Sequence, residues 1–170
     1  MGPTNVKVRP ATDLDLPGIA KIHVQSWRDA YRHMLPAVFL GDPIERVLSR
    51  HWQKTDLRDN GLVLVAEADE LAGFIAVWCR PAPYIDNLHV RPLSRSKKIG
   101  SRLMKKAAEA LLRKGHRTAY LWVFESNWKA IRFYERLGGV PAEKTTQDIF
   151  GYKIPSLKIE WKDISTLVSV

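Results

Sequence analysis

The sequence predicts an α/β protein, a mixed β-sheet carrying helices on both of its faces. Three observations carry this expectation. Short apolar runs rich in β-branched residues, at 62–68 and 71–80, read as strands. The stretch Ile99–Arg113 places Ile99, Leu103, Ala107 and Leu111 in one helical stripe, widened by Met104, Ala108 and Leu112. The elements follow in the order β, α, α, β, β, β, α, β, α, β, β, which leaves helices to cover both faces of one sheet.

Each element has a local reason. Residues 5–9 alternate like a short edge strand, ended by Pro10. Thr12 or Asp13 can cap a helix running toward Arg32, because Leu16, Ile19, Ala20, His23, Val24 and Trp27 recur at helical spacing. Pro36 interrupts that pattern, and Pro43 suits the first turn of a second helix through about Trp52. The runs 62–68 and 71–80 flank Asp69-Glu70 and read as a hairpin. Residues 84–90 form a third run, closed by Pro92. The long helix follows, with Arg102, Lys105, Lys106, Glu109 and Arg113 opposite its apolar stripe, and Gly115 stops it. A strand at 118–124 and a helix at 127–137, ended by Gly138-Gly139, come next. Strand-like pieces at 139–143 and 152–161 complete the chain.

Composition narrows the function classes. The 170 residues suit a single domain with a sizeable core, and 45% hydrophobic with 26% charged residues is the make-up of a folded soluble protein. The lone Cys79 has no internal disulfide partner. No apolar run approaches the ~20 residues that span a bilayer. Residues 1–10 contain no apolar signal core, and position 6 lacks the Ser or Thr of a myristoylation site. A cytoplasmic protein without a membrane partner is expected, and no metal. The net charge of +9 is concentrated: residues 91–117 hold ten basic residues against one acid, Glu109, while acids and bases balance elsewhere. Such a block reads either as a solvated helix face or as an anion site for nucleic acid, a membrane surface or a phosphorylated small molecule.

The chemistry concentrates where a strand meets a helix. Val90 ends a strand, residues 95–100 form a basic loop, and the long helix begins. A helix N-terminus offers unpaired N–H groups and about half a positive charge, a ready phosphate site. Gly100 permits close approach, and Ser96 and Ser101 add hydroxyl donors. Neither GxxxxGK[ST] nor GxGxxG is present. At these residues the sequence resembles the GNAT superfamily of N-acetyltransferases. In that family a strand ending Leu-x-Val-x-Pro precedes a pyrophosphate loop Arg/Gln-x-x-Gly-x-Gly/Ala. The counterparts here are Leu88-His89-Val90-Arg91-Pro92 and the loop from Arg95 to Gly100. The family's second signature, Asn-x-x-Ala-x-x-Phe-Tyr-Glu-x-x-Gly, is present as Asn127, Ala130, Phe133, Tyr134, Glu135 and Gly138. One departure stands out: Lys98 occupies the usual first glycine of Gly-x-Gly, and Ser96 replaces another frequent glycine. If position 98 needs positive φ, a lysine there costs about 1 kcal/mol, and its charge is a compensation.

The resemblance implies a mixed, mostly antiparallel sheet of six to seven strands flanked by helices on both faces. It implies acetyl-CoA as co-substrate and direct acetyl transfer to a primary amine of a small molecule or peptide. Backbone N–H groups of Lys97, Lys98, Ile99, Gly100 and Ser101, with Arg95 and Ser96 nearby, would hold the pyrophosphate. Leu88, His89 and Val90 would pair with the pantetheine arm as with an added strand, one N–H facing the developing oxyanion. Asn127 would bond the same arm, Phe133 would border it from the core, and Tyr134 would protonate the leaving thiolate. Asp86 is the first choice of general base; Glu125, His89 titrating near neutrality, or a water relay are the others. Trp27 and Tyr31, at i and i+4, form either core packing or an aromatic wall for a polyamine-like acceptor. Arg102 would reach a phosphate, and Lys105, Lys106, Arg113 and Lys114 would be solvated. A homodimer stays open. Two other readings compete: a catalytically weak acyl-CoA-binding module, motivated by Lys98, and a nucleic-acid-binding domain, motivated by the basic block but unsupported by any helix-turn-helix, zinc spacing or RNA-binding aromatic motif.

Overall fold

The computed structural model describes residues 5–95 and 97–169. Seven strands form one sheet in the order β1-β2-β3-β4-β5-β7-β6. They are β1 (Lys7–Pro10), β2 (Gly61–Glu67), β3 (Leu71–Cys79), β4 (Pro83–Val90), β5 (Ala119–Phe124), β6 (Val140–Ile149) and β7 (Tyr152–Trp161). Adjacent strands run antiparallel except β4 and β5, so the sheet is mixed and mostly antiparallel, as expected. Helices α1 (Leu16–Tyr31) and α2 (Asp42–Gln53) cover one face, where Ile19, Ile22 and Trp52 pack on Val63, Val65, Phe74 and Ala76. Helices α3 (Ile99–Arg113) and α4 (Trp128–Arg136) cover the other. The stripe read from sequence is the buried face of α3: Ile99, Leu103, Met104, Ala107, Ala108 and Leu111 pack against Leu64, Ile75, Val77, Ile85, Leu121 and Val123. Burying such a stripe removes apolar surface at roughly 25 cal/mol per Å² and is the main force seating α3.

Two elements differ from the expectation. The first helix does not run from Thr12: a 3-10 turn at Asp13–Asp15 precedes α1, because the Asp15 carboxylate accepts the Thr12 N–H at 2.7 Å and is clamped by Arg9 at 2.8 Å. The strand expected at 139–143 extends to Ile149. Its residues from Glu143 to Asp148 are polar on both faces, so no apolar alternation marks them; pairing with β7 alone makes them a strand.

The parallel pair positions the site. The β4–β5 ladder is confined to Tyr84 and Tyr120, whose rings stack at 5.1 Å. Beyond that pair both strands continue, but they no longer bond to each other. Residues 88–90 keep β3 on one edge and offer the other to a cleft. The opening lies at the carboxyl ends of two parallel strands, where an α/β sheet exposes backbone groups that nothing in the sheet satisfies.

Candidate active site

The cleft has a volume of ≈ 1870 Å³. Leu88, His89 and Val90 border it on the β4 side, and Phe124 and Glu125 on the β5 side. One end is closed by the amino ends of α3 and α4, with Lys98, Ile99, Gly100, Ser101, Asn127 and Phe133 on its wall. The structure thus brings together nearly all the residues singled out from sequence. Lys97 is exposed beside the loop and does not line the cleft. Ser96 lies outside the described residues.

Local geometry explains the phosphate end. Lys98 is left-handed, with φ 58° and ψ 22°, so position 98 does need the conformation that glycine supplies without strain. That turn ends the loop and starts α3: the first helical bond runs from Arg102 N–H to the Lys98 carbonyl at 3.1 Å. The N–H groups of Ile99, Gly100 and Ser101 precede it and have no capping side chain among the described residues. A Cβ on Gly100 would stand 3.2 Å from Phe133 Cζ, so glycine there lets α4 approach. Three free N–H groups, a helix dipole and a basic loop fit a pyrophosphate, and the unpaired edge of residues 88–90 fits an extended amide arm. These features match the requirements of coenzyme A.

Around the middle of the cleft, the Tyr134 ring packs edge-on against Phe133 at 5.3 Å and Trp161 at 6.0 Å. Burial pushes its phenol above the ordinary range, so it stays protonated at neutral pH. Asn127 caps α4, its side-chain oxygen accepting the Ala130 N–H at 3.3 Å, which leaves its amide N–H groups for another partner. Asp86 is the extra residue of a bulge, since Ile85 faces Val77 while Asn87 faces Ala76. A bulge turns a side chain out of the ladder, and the exposed Asp86 carboxylate accepts the Trp78 indole N–H at 3.0 Å on the cleft rim. Glu125 also lines the cleft but is held by Lys144 at 3.2 Å.

Two expectations are corrected. His89 does not titrate near neutrality: burial, reinforced by the Arg95 charge, pushes it down to about 4. Arg102 does not reach toward a phosphate; its guanidinium donates to the Val6 carbonyl at 2.6 Å and ties β1 to α3. For Tyr31 the structure gives the packing alternative: it is only 5% exposed, between Trp27 at 4.3 Å and Phe124 at 4.7 Å, while Trp27 faces the cleft. Two residues at the cleft were not singled out as functional. Asp29 on α1 holds Arg95 at 3.4 Å across the opening. His23, which recurs with the apolar stripe of α1, stacks its ring on His89 at 4.9 Å. A lone histidine on an otherwise apolar face was the available signal.

The model of the acetyltransferase (GNAT) family matches residues 24–139, from the second half of α1 through α4. The chain belongs to that family. The GNAT protein is an N-acetyltransferase with acetyl-CoA as its co-substrate. It is 28% identical to the uncharacterized N-acetyltransferase YuaI of Bacillus subtilis, over 95% of this chain and 96% of that one. It is 30% identical to an uncharacterized N-acetyltransferase of Archaeoglobus fulgidus, over 76% of this chain and 89% of that one. The fold is shared with PaiA N-acetyltransferase from Thermoplasma acidophilum, solved in complex with coenzyme A, at a TM-score of 0.70 and 21% identity, covering 92% of this chain and 99% of that one. It is also shared with YncA from Salmonella typhimurium, solved with acetyl-CoA, at a TM-score of 0.65 and 16% identity, covering 92% and 93%. Among the described residues of the GNAT protein, no helix is long and apolar enough to cross a membrane.

Proposed function

We propose that the protein acetylates a primary amine of a small molecule or peptide, with the pyrophosphate on the amino end of α3 and the pantetheine arm along residues 88–90. The observation that carries this reading is the split between β4 and β5, flanked by Tyr134 and by three N–H groups that no side chain caps among the described residues. Acetyl-CoA supplies the acetyl group as an activated thioester. The backbone N–H groups of Ile99, Gly100 and Ser101 bind phosphate oxygens, with Arg95 and Lys98 adding charge. Asn127 donates to the amide arm while it caps α4. An N–H of residues 88–90 orients the thioester carbonyl.

Proton handling divides between two side chains. Tyr134 holds a proton at its hydroxyl for the departing sulfur, and its raised pKa keeps that proton in place at neutral pH. Among the described residues no hydrogen bond within the chain occupies that hydroxyl. Asp86, turned out by its bulge, receives the proton of the incoming amine, directly or through water. Glu125 is the weaker choice because Lys144 already pairs with it. His89 stays neutral on the β4 edge, and Arg95 Nε donates to the Val90 carbonyl at 3.4 Å.

The test is a screen of primary amines with acetyl-CoA, read as thiol release and as acetylated product. Amine-dependent release with matching product is expected. Tight coenzyme A binding without release on any amine would instead describe a binding module.

A further inference from the structure

His23 poses a problem of valence. Its ring is 6% exposed, and both nitrogens face indole N–H groups. Trp52 Nε1 lies 3.0 Å from Nδ1, and Trp27 Nε1 lies 3.1 Å from Nε2. A neutral imidazole carries one lone pair and one N–H; an imidazolium carries two N–H groups and no lone pair. The ring is therefore neutral, consistent with burial beside His89. Only one of the two indoles can be donating to it, and at the other contact two donors meet.

Burial decides which. Trp52 is fully buried, so its N–H has the Nδ1 lone pair or nothing, and an orphaned buried donor is costly. Trp27 is half-buried and lines the cleft, where an incoming oxygen can serve its N–H. The lone pair thus sits on Nδ1 and the proton on Nε2. His23 Nε2–H and Trp27 Nε1–H then stand 3.1 Å apart on the cleft wall, with no acceptor between them among the described residues.

We infer that this donor pair is an oxygen-binding site, and that its ligand is a carbonyl or carboxylate oxygen carried by the acceptor beside its amine. Two adjacent N–H groups suit an oxygen with two lone pairs and repel an ammonium group. The location suits an acceptor: the His23 ring stacks on His89, which belongs to the β4 edge assigned to the pantetheine arm. An amine on a carbon next to a carbonyl carries its oxygen a few bonds from the reacting nitrogen. This stands against the polyamine-like cation that the sequence offers at Trp27 as one of two readings. One face of that ring is in any case covered by Tyr31 at 4.3 Å. The word acceptor rests on the acetyltransferase reading; the donor pair itself does not.

Two measurements test the inference. In nitrogen-15 spectra of the whole protein, the His23 proton is expected on Nε2. Adding glycinamide is expected to shift the Trp27 indole N–H signal, and propylamine at the same concentration is not. A proton on Nδ1, or an indole signal that glycinamide leaves unmoved, overturns the inference. In the transfer assay, the ratio of kcat/KM for glycinamide to that for propylamine is compared between the native chain and Trp27→Phe, which keeps an aromatic ring and removes the donor. Comparing ratios cancels the differing reactivity of the two amines. The ratio is expected to fall about tenfold. An unchanged ratio overturns the inference while leaving acetyl transfer intact. Absence of transfer to every amine counts against the acetyltransferase reading, and the spectra then decide the donor pair alone.

Discussion

Tyr134 and Lys98 show how single residues divide between packing and chemistry. Tyr134 packs against Phe133 and Trp161, but those contacts need the ring and not the hydroxyl. Tyr134→Phe keeps the packing and removes the proton donor. Turnover is expected to fall by about 10²-fold or more, with the KM for acetyl-CoA little changed. Steady-state kinetics on any accepted amine checks this, and unchanged kcat would remove Tyr134 from the acid role. Lys98 carries the opposite lesson. Its left-handed backbone was expected only conditionally, from the glycine that the family places there; the structure supplies φ 58°. Lys98→Gly relieves about 1 kcal/mol of strain but frees the unfolded chain, so stability is expected to change little. Lys98→Val forces a β-branched residue into the same conformation and is expected to unfold several degrees lower. Equal thermal midpoints for the two variants would contradict the left-handed turn.

The elements that carry the site differ in how legible they are. Helix α3 and the loop before it could be read from the chain because an apolar stripe and a phosphate motif coincide there. The β4–β5 split could not, since both strands have ordinary apolar runs and only the end of their ladder at Tyr84 and Tyr120 reveals it. The β6–β7 hairpin was half hidden. Its turn, Phe150-Gly151, has φ of 52° and 85°, the doubly positive pattern that a two-residue hairpin prefers to fill with Asn-Gly. An aromatic at such a position is an outlier, and it gives no turn signal in the sequence. The strained backbone sets the Phe150 ring parallel to Phe39 at 5.9 Å and edge-on to Trp27 at 6.1 Å. The tip of the hairpin thereby braces the cleft wall from the loop between α1 and α2. Phe150→Asn is expected to stabilise the turn by about 1 kcal/mol, yet to raise the KM for the acceptor severalfold and leave that for acetyl-CoA unchanged. Paired melting curves and kinetics check both halves. A loss of stability without a change in KM would make Phe150 a packing residue only.

Across the whole molecule, charge and protonation separate into two regions. Much of the basic block is engaged internally: Arg102 and Lys114 donate to the carbonyls of Val6 and Gly61, Arg91 pairs with Glu70, and Lys106 with Glu109. The excess of +9 is therefore partly a fastening of β1 and β2 to α3, which sequence alone presented as an outward-facing patch. On the other side of the sheet, two stacked imidazoles are kept neutral. Burial pushes His23 down to about 2 and His89 to about 4, while an unfolded imidazole titrates near 6.5. Both folded values lie below the unfolded one, so the stabilisation is complete above about pH 6.5. Below it, the unfolded chain takes up two protons that the native state refuses. Each imidazole then lowers stability by roughly 1.4 kcal/mol per pH unit, His89 down to about pH 4 and His23 further. The growing positive charge adds self-repulsion in the same direction. Thermal midpoints are expected to be level between pH 8 and 7 and to drop steeply by pH 5, before ordinary carboxylates titrate. His89→Asn is expected to lessen that slope by about half, since one of the two proton-binding sites is gone from the unfolded chain. A midpoint that stays constant from pH 7 to 5 would mean that the pair is protonated in the native state, which the two indole N–H groups against His23 forbid.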